Sequence, residues 1–534
     1  MNKVINQILS KKTLYILCFM VLNLIDMLKT SQSGAVWYVA VNCTGLVMLV
    51  IIVSAWPLRD FLTVGNGIYT AVCAAAMILV GIYWRPTTGQ FVLWQIQTAI
   101  MNVWWIGIVV VYLFRKAVIQ KTLPFRPGLM GWLWIAMSIL MIFSASQRLW
   151  PLWYFLMFGS FYLTSYKPED KKALFEAMVD GTIISFFCIQ IYAYGFRPYD
   201  EVRYKGATGN CNMTALYYLI VYMMCLYKLH FLELKKAHKG WKLFYLIGAG
   251  GMLSFQLFTM GRTAWVASLV LTILYGILVV GKLWRKTWKQ VLCRGGALAL
   301  TAMMTFLPVY YSIRWLPTIL HHPIWYEGEY SISKVHSFDP ANSDKYVDLD
   351  EFLETLLERI QHTFENVVFR DPFVLRVKAM DLDQMEHVDV VDVPWVDDAL
   401  RGRLTIYKAY LEDLTLFGHG LSDGYYVIGD GPYYSWHAQN LWIQIAYTYG
   451  IPAGILLVVL TFVMLSVHKK TMEKIKAFYA VIPFFICVLT FMFGIMELVW
   501  NPGQLVMFLF FFVQHPQFRT EVMADGIGEE VFHG

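Results

Sequence analysis

Apolar runs of about 17–25 residues recur along the whole chain, and each is long enough to cross about 30 Å of hydrocarbon. Fourteen of them centre near residues 21, 45, 76, 102, 137, 157, 188, 221, 250, 272, 303, 453, 487 and 507. The sixth is interrupted by polar groups and the last is short. One long hydrophilic stretch, about 314–436, separates the eleventh run from the twelfth. Inside it, Phe352, Leu356, Ile360 and Phe364 recur at helical spacing over 350–365. Leu404, Tyr407, Leu411 and Leu414 do the same over 403–416, and Phe417-Gly-His-Gly420 ends that pattern. Between them, 367–396 alternates apolar and acidic residues, which predicts strand or irregular structure.

The pattern predicts an all-α polytopic membrane protein with about 14 transmembrane helices and one large loop domain. Its expected parts are a transmembrane bundle of about 11 helices over 1–313, the acidic loop over 314–436, further transmembrane helices over 437–516 and a tail over 517–534. The first run begins near Leu14 behind Lys3, Lys11 and Lys12 and lacks a small-residue cleavage site, which predicts a retained span. No internal repeat is visible.

Composition supports this class. The chain has 534 residues, 58% hydrophobic and 15% charged, with a mean hydropathy of +0.52, whereas a soluble domain is about a quarter charged. All eight cysteines lie in or beside apolar runs, and no C-x-x-C occurs. That excludes a disulfide scaffold and a cysteine-based zinc site.

Charge supplies an orientation. With the N-terminus in the cytoplasm, alternating spans place 26 Lys and Arg on inner segments and 7 on the short outer segments. Both termini are then expected in the cytoplasm, with 314–436 extracytoplasmic. That loop carries 22 Asp and Glu against 10 Lys and Arg. The whole chain is +6, so the basic residues sit mainly on the inner side. Contact with anionic membrane lipid explains them, and no nucleic acid partner is expected.

A charge at a membrane boundary is costly, so it marks a candidate site. Three arginine clusters fall on the outer side. The first is Arg203-Tyr-Lys205-Gly-Ala-Thr-Gly-Asn210-Cys-Asn212; an ordinary glycine turn with an Asn cap explains it equally well. The second is Thr259-Met-Gly261-Arg262-Thr263-Ala-Trp265, where two spans meet with almost no loop. Gly261 would permit the tight turn and Thr263 would cap the next helix. The bland alternative for Arg262 is a side chain reaching lipid phosphate. The third is Arg401-Gly-Arg403, at a helix start that normally prefers acids and so calls for a counter-anion.

His437 stands where the long loop meets the twelfth run, and Asn440 and Gln444 follow it on one helix face. Gly450-Ile-Pro452-Ala-Gly454 then interrupts the helix. No second histidine stands at metal-binding spacing from His437. His321-His322 is a poor metal candidate, and Asp381-x-Asp383 lacks the rest of a calcium loop. No metal and no cofactor is expected. Guanidinium groups bind pyrophosphate bidentately and offset charge on a departing phosphate. A histidine near neutral pKa can take a proton from a sugar hydroxyl.

These segments resemble the O-antigen ligase and O-antigen polymerase superfamily of bacterial surface-glycan enzymes. The resemblance rests on Gly261-Arg262-Thr263-Ala-Trp265, Gly402-Arg403 with Phe417-Gly-His-Gly420, and His437-Ala-Gln-Asn440-Leu-Trp-Ile-Gln444 with Gly450-Ile-Pro452-Ala-Gly454. Thr208-Gly-Asn210-Cys-Asn212 fits more weakly, and the family's adjacent His-Asn pair is split here by Ala438-Gln439. The resemblance implies a GT-C-like, metal-independent, inverting glycosyltransferase in the cytoplasmic membrane. Its donor would be an undecaprenyl-pyrophosphate-linked glycan, and its acceptor a glycan or another lipid anchor. Arg262 and Arg403 would hold the pyrophosphate, and His437 would activate or orient the acceptor hydroxyl. Arg203 would serve the same anion, with Lys205, Asn210, Arg401, Asn440 and Gln444 as further substrate-binding candidates. The main rival is a transporter or flippase of lipid-linked oligosaccharide, which calls for an inverted repeat and charges deep in the spans. Asp26 is the main such charge. A signalling receptor would need a cytoplasmic output domain, and the tail after Pro516 is too short for one.

Overall fold

The computed structural model describes residues 10–29, 34–84, 90–116, 128–145, 150–196, 203–208, 210–234, 238–283, 286–319, 349–364, 403–419, 426–428, 433–435, 437–475, 480–497 and 504–519. The helices α1 to α7 are Lys11–Lys29, Gly34–Val53, Val64–Trp84, Gln90–Phe114, Leu129–Ile142, Trp150–Leu163 and Pro168–Phe196. Helices α8 to α11 are Cys211–Leu234, Lys239–Thr259, Arg262–Leu274 and Trp288–Ile319. Helix α10 continues as a π-helical segment, Tyr275–Leu283. In the long loop lie α12, Leu349–Phe364, and α13, Arg403–Glu412, then a small antiparallel hairpin of β1, Tyr426–Ile428, and β2, Tyr433–Ser435. Helices α14 to α17 are Leu441–Tyr449, Ile451–Ile475, Val481–Gly494 and Leu505–Phe512.

A helix therefore stands at each of the fourteen apolar centres. Among the described residues seven helices are long and apolar enough to cross a membrane: α3, α4, α7, α8, α10 with its extension, α11 and α15. Part of α2 and all of α5 and α16 are shorter apolar helices. Helix α17 has eight residues, all buried, and at 1.5 Å per residue it is only about 12 Å long. It is packed core: Phe512 meets Phe19 at 5.2 Å and Phe161 at 5.2 Å, and Phe511 meets Phe158 at 5.1 Å.

Two kinds of apolar helix result. Helix α8 is buried along most of its length, with α7, α9, α10 and α16 against it. Helix α3 instead leaves Ile68, Val72, Ile78, Leu79 and Ile82 exposed. Large aliphatic side chains exposed along a whole helix are matched by lipid, not by water. The chain is a helical membrane protein.

Polar groups gather at the two ends of this bundle. At one end Lys12 lies 2.6 Å from Glu176 and 3.2 Å from Asp180, Lys11 lies 2.8 Å from Asp170, and Lys228 pairs with Asp180. Helix α8 runs from Lys228 back to Asn212, a rise of about 24 Å. The second polar cluster surrounds Asn212.

The first loop helix does not stand apart from the bundle. Phe352 of α12 is fully buried against Phe258 at 5.0 Å, Tyr310 at 5.9 Å and Phe306 at 6.3 Å. Helix α11 continues to Ile319, past the expected boundary at 313. Helix α13 ends at Glu412, short of 416. Its buried face is Tyr407 and Tyr410, whereas Leu411 is half exposed, because the Tyr407 hydroxyl finds carbonyl partners described below. The stretch 367–396 lies outside the described residues.

A backbone clasp joins α13 to the break between α14 and α15. His419 N donates to Tyr447 O at 2.8 Å, and Ile451 N donates to Thr415 O at 3.0 Å. Gly418 and Gly450 have φ of +76° and +103°, which side chains disfavour. A Cβ on Gly450 would collide with the Leu416 carbonyl oxygen, and one on Gly418 with Thr448 O. Pro452 sits in the first turn of α15, where its missing N–H costs nothing. Gly450→Ala combines a left-handed alanine with a backbone collision. It should cost about 2–4 kcal/mol, seen as a lower unfolding temperature in detergent; an unchanged temperature contradicts the clasp.

Candidate functional site

Arg203 ties three elements together. Its Nε donates to Thr259 O at 3.1 Å, and its terminal nitrogen donates to Asn212 Oδ1 at 3.0 Å. The Asn212 amide then donates to Glu497 Oε1 at 2.6 Å. The end of α9, the start of α8 and the turn after α16 are thereby joined. Asn210 is the N-cap of α8: its Oδ1 accepts from Asn212 N at 2.9 Å and Met213 N at 3.3 Å. The Lys205 side chain is half-buried in the same loop, and its carbonyl accepts from the Thr214 hydroxyl.

The α9–α10 hairpin owes its tightness to Met260, whose φ is +49°. Gly261 is the N-cap of α10 at φ −83°, with no side-chain cap, so neither the expected glycine turn at 261 nor a Thr263 cap is what is used. Gly261 instead lies against α8, where a Cβ would sit 3.6 Å from that of Ala215. Arg262 opens α10, half-buried, three residues after the carbonyl that holds Arg203.

The His437 loop is held from both sides. His437 Nδ1 accepts from Gln439 N at 3.0 Å. A backbone N–H can only donate, so the neutral ring carries its proton on Nε2. Gln444 Oε1 accepts from Ala438 N at 2.7 Å, and its Nε2 donates to Thr448 at 3.0 Å. Asn440 caps α14, its Oδ1 accepting from Trp442 N and Ile443 N, both at 3.1 Å. Asn440 Nδ2 donates to Ile495 O at 3.2 Å. The Tyr407 hydroxyl donates to Ile495 O at 2.5 Å, with Gln439 O 3.3 Å away.

Ile495 and Glu497 lie two residues apart on the same turn, so the two halves meet. Arg203 and the Arg262 hairpin reach that turn through Asn212, and the His437 loop and α13 reach it through Asn440 and Tyr407. Arg403 opens α13, one turn before Tyr407. Arg401 lies outside the described residues. Asn210, Asn440 and Gln444 spend the bonds given above on helix caps and the loop backbone. Met260 and Gln439 are the two non-glycine residues with positive φ among the described residues, and they flank Arg262 and His437. Each such residue stores about 1–2 kcal/mol, strain that persists where surrounding contacts over-determine it and that clusters at functional sites. Among the described residues no three His, Cys, Asp or Glu gather as a metal site.

Residue-by-residue reading missed Glu497, Asn212 and Gln439 as partners. Glu497 had a visible signal: it is the one Asp, Glu, Lys or Arg between Lys476 and Arg519, and an acid in an apolar stretch is a functional candidate by default. No family model, no curated protein and no solved structure matches the chain.

The cap role of Asn440 is testable apart from chemistry. Asn440→Ala should lower stability by about 1 kcal/mol, and Asn440→Ser should restore most of it, both read by thermal unfolding in detergent. Full stability in the alanine variant would mean that Asn440 is not held as a cap.

Proposed function

We propose that this protein is a membrane glycosyltransferase of GT-C-like architecture. It transfers or polymerises an undecaprenyl-pyrophosphate-linked glycan at the outer face of the bacterial cytoplasmic membrane, for O-antigen, capsule or a related surface polysaccharide. One observation carries the reading: the loop of Arg203, the hairpin of Arg262 and the loop of His437 converge on a single turn, Ile495 to Glu497. The resemblance of these segments to O-antigen ligases and polymerases supports it, as does the bias of Lys and Arg toward the opposite side of the membrane.

The chemistry follows from the groups present. Arg262 and Arg403 hold the pyrophosphate, and Arg203 serves the same anion. The acceptor hydroxyl oxygen bonds to the anomeric carbon while the bond from that carbon to the pyrophosphate oxygen breaks. The electron pair leaves with undecaprenyl pyrophosphate, and the guanidinium groups offset the charge that develops there. Attack opposite the leaving group inverts the anomeric centre. His437, held by the bond from Gln439 N to its Nδ1, orients the acceptor hydroxyl. Arg203 is tied into the scaffold by two hydrogen bonds, which fixes its position before substrate arrives.

The test is Arg262→Ala and His437→Ala in the source cells, with protein level checked. Surface glycan length and lipid-linked donor are the readouts. The expected result is loss or shortening of the glycan with donor accumulating on the outer leaflet, a fall in transfer of about 100-fold or more. Wild-type glycan in both variants contradicts an enzyme. Donor accumulating only on the inner leaflet points to a flippase.

A further inference from the structure

We infer that Lys171 and Arg519 form a binding site for a phosphate group, at the end of the bundle opposite Arg203. The site stands independently of the glycosyl-transfer reading. Lys171 lies in the first turn of α7 and is only 5% exposed. Arg519 ends the short helical turn Pro516–Arg519. One of its terminal nitrogens donates to Gln514 O at 3.3 Å, while its Nε is enclosed with no hydrogen-bond partner. Among the described residues no carboxylate pairs with either cation.

A turn and a histidine bring the two together. The turn 164–167 joins α6 to α7 and is docked on the segment that follows α17. Tyr166 N donates to Gln517 Oε1 at 2.9 Å, and Gln517 Nε2 donates to Ser165 Oγ at 3.0 Å. His515 is fully buried there, its Nε2 3.0 Å from Phe161 O and 3.1 Å from Thr164 O. Its Nδ1 accepts from Gln517 N at 3.2 Å. Carbonyls only accept and a backbone N–H only donates, so the ring is neutral with its proton on Nε2. Burial disfavours its protonation most, and the charges of Arg519 and Lys171 push the same way. Both cations are therefore within electrostatic reach of one buried ring, which supplies no counter-charge.

The acids nearby are matched to other cations. Asp170 pairs with Lys11 at 2.8 Å, Glu176 with Lys12 at 2.6 Å, and Asp180 with Lys12 at 3.2 Å and with Lys228. A buried cation with no counter-ion is costly, and a bound anion offsets that cost. Phosphate suits the pair, because an ammonium offers a point charge and a guanidinium a fork of N–H donors. Arg519 is half-buried, which leaves an anion a way in. The bias of Lys and Arg puts this end inside, where an anionic phospholipid headgroup and free phosphate are the two sources.

Delipidated protein in an uncharged detergent is titrated with phosphatidylglycerol, with phosphatidylcholine and with inorganic phosphate at constant ionic strength, and the unfolding temperature is followed. A rise with phosphatidylglycerol assigns the site to a lipid headgroup, and a rise with inorganic phosphate alone assigns it to a soluble phosphate. In Lys171→Met and Arg519→Gln the midpoint concentration of the active ligand should increase by about tenfold or more. Lys469→Gln should titrate like wild type: Lys469 is exposed at the same end, beside His468, which bonds Gln514 at 2.8 Å. Without ligand K171M should unfold no earlier than wild type, since it keeps the apolar stem and removes an unpartnered charge. The site is overturned if K171M and R519Q titrate like wild type, or if K469Q loses the response equally. It is also overturned if phosphatidylcholine acts as strongly as phosphatidylglycerol, or if neither phosphatidylglycerol nor phosphate acts. Earlier unfolding of ligand-free K171M overturns it too, because Lys171 then has a partner within the chain.

Discussion

A guanidinium at the end of an apolar helix bundle must be hydrogen-bonded in place, because its charge is costly to leave unsatisfied where water thins out. Arg203 meets that constraint by bridging Thr259 O and Asn212 Oδ1. The bridge ties the end of α9 to the start of α8, and Asn212 extends it to Glu497 after α16. Much of the arrangement around the site depends on this chain of contacts. It sets where Arg262 starts its helix and where the turn of Ile495 can receive Asn440 and Tyr407.

The apolar packing below makes that geometry rigid. Helix α8 is buried on nearly all sides, and the aromatic cluster of Phe19, Phe158, Phe161, Phe508 and Phe512 closes the core beside it. The long loop is also fastened to this framework. Phe352 lies against Phe258, one residue before the carbonyl that holds Arg203. The clasp of Gly418 and Gly450 fixes the far end of α13. The described parts of the loop are thus anchored at α12 and beyond α13, and strain at Met260 and Gln439 is held by what surrounds it.

Hydropathy made the helices legible, because a fully apolar run of this length has few other solutions in a membrane. The helix of Phe352 was legible for the same reason, since its period showed through an acidic loop. Side-chain roles were harder to read. Asn440 and Gln444 share a face with His437 in sequence, yet one caps α14 and the other holds Ala438 N. Ala438-Gln439 has a physical use: Gln439 in the left-handed region turns its N–H onto His437 Nδ1. Periodicity cannot report that contact, nor the pairing of Asn212 with Glu497, whose partners lie 285 residues apart. Span count is subtler still, since α17 is as apolar as any run but is spent on packing.

Glycosyl transfer as proposed requires Arg262, next to the Arg203 anchor at Thr259, to hold a lipid pyrophosphate. An electron cryomicroscopy map of the protein in nanodiscs with undecaprenyl pyrophosphate tests that requirement. The expected result is pyrophosphate density within hydrogen-bonding distance of Arg262, with the lipid chain running down the bundle surface. Density at the opposite polar end, beside Lys12 and Lys228, would contradict it.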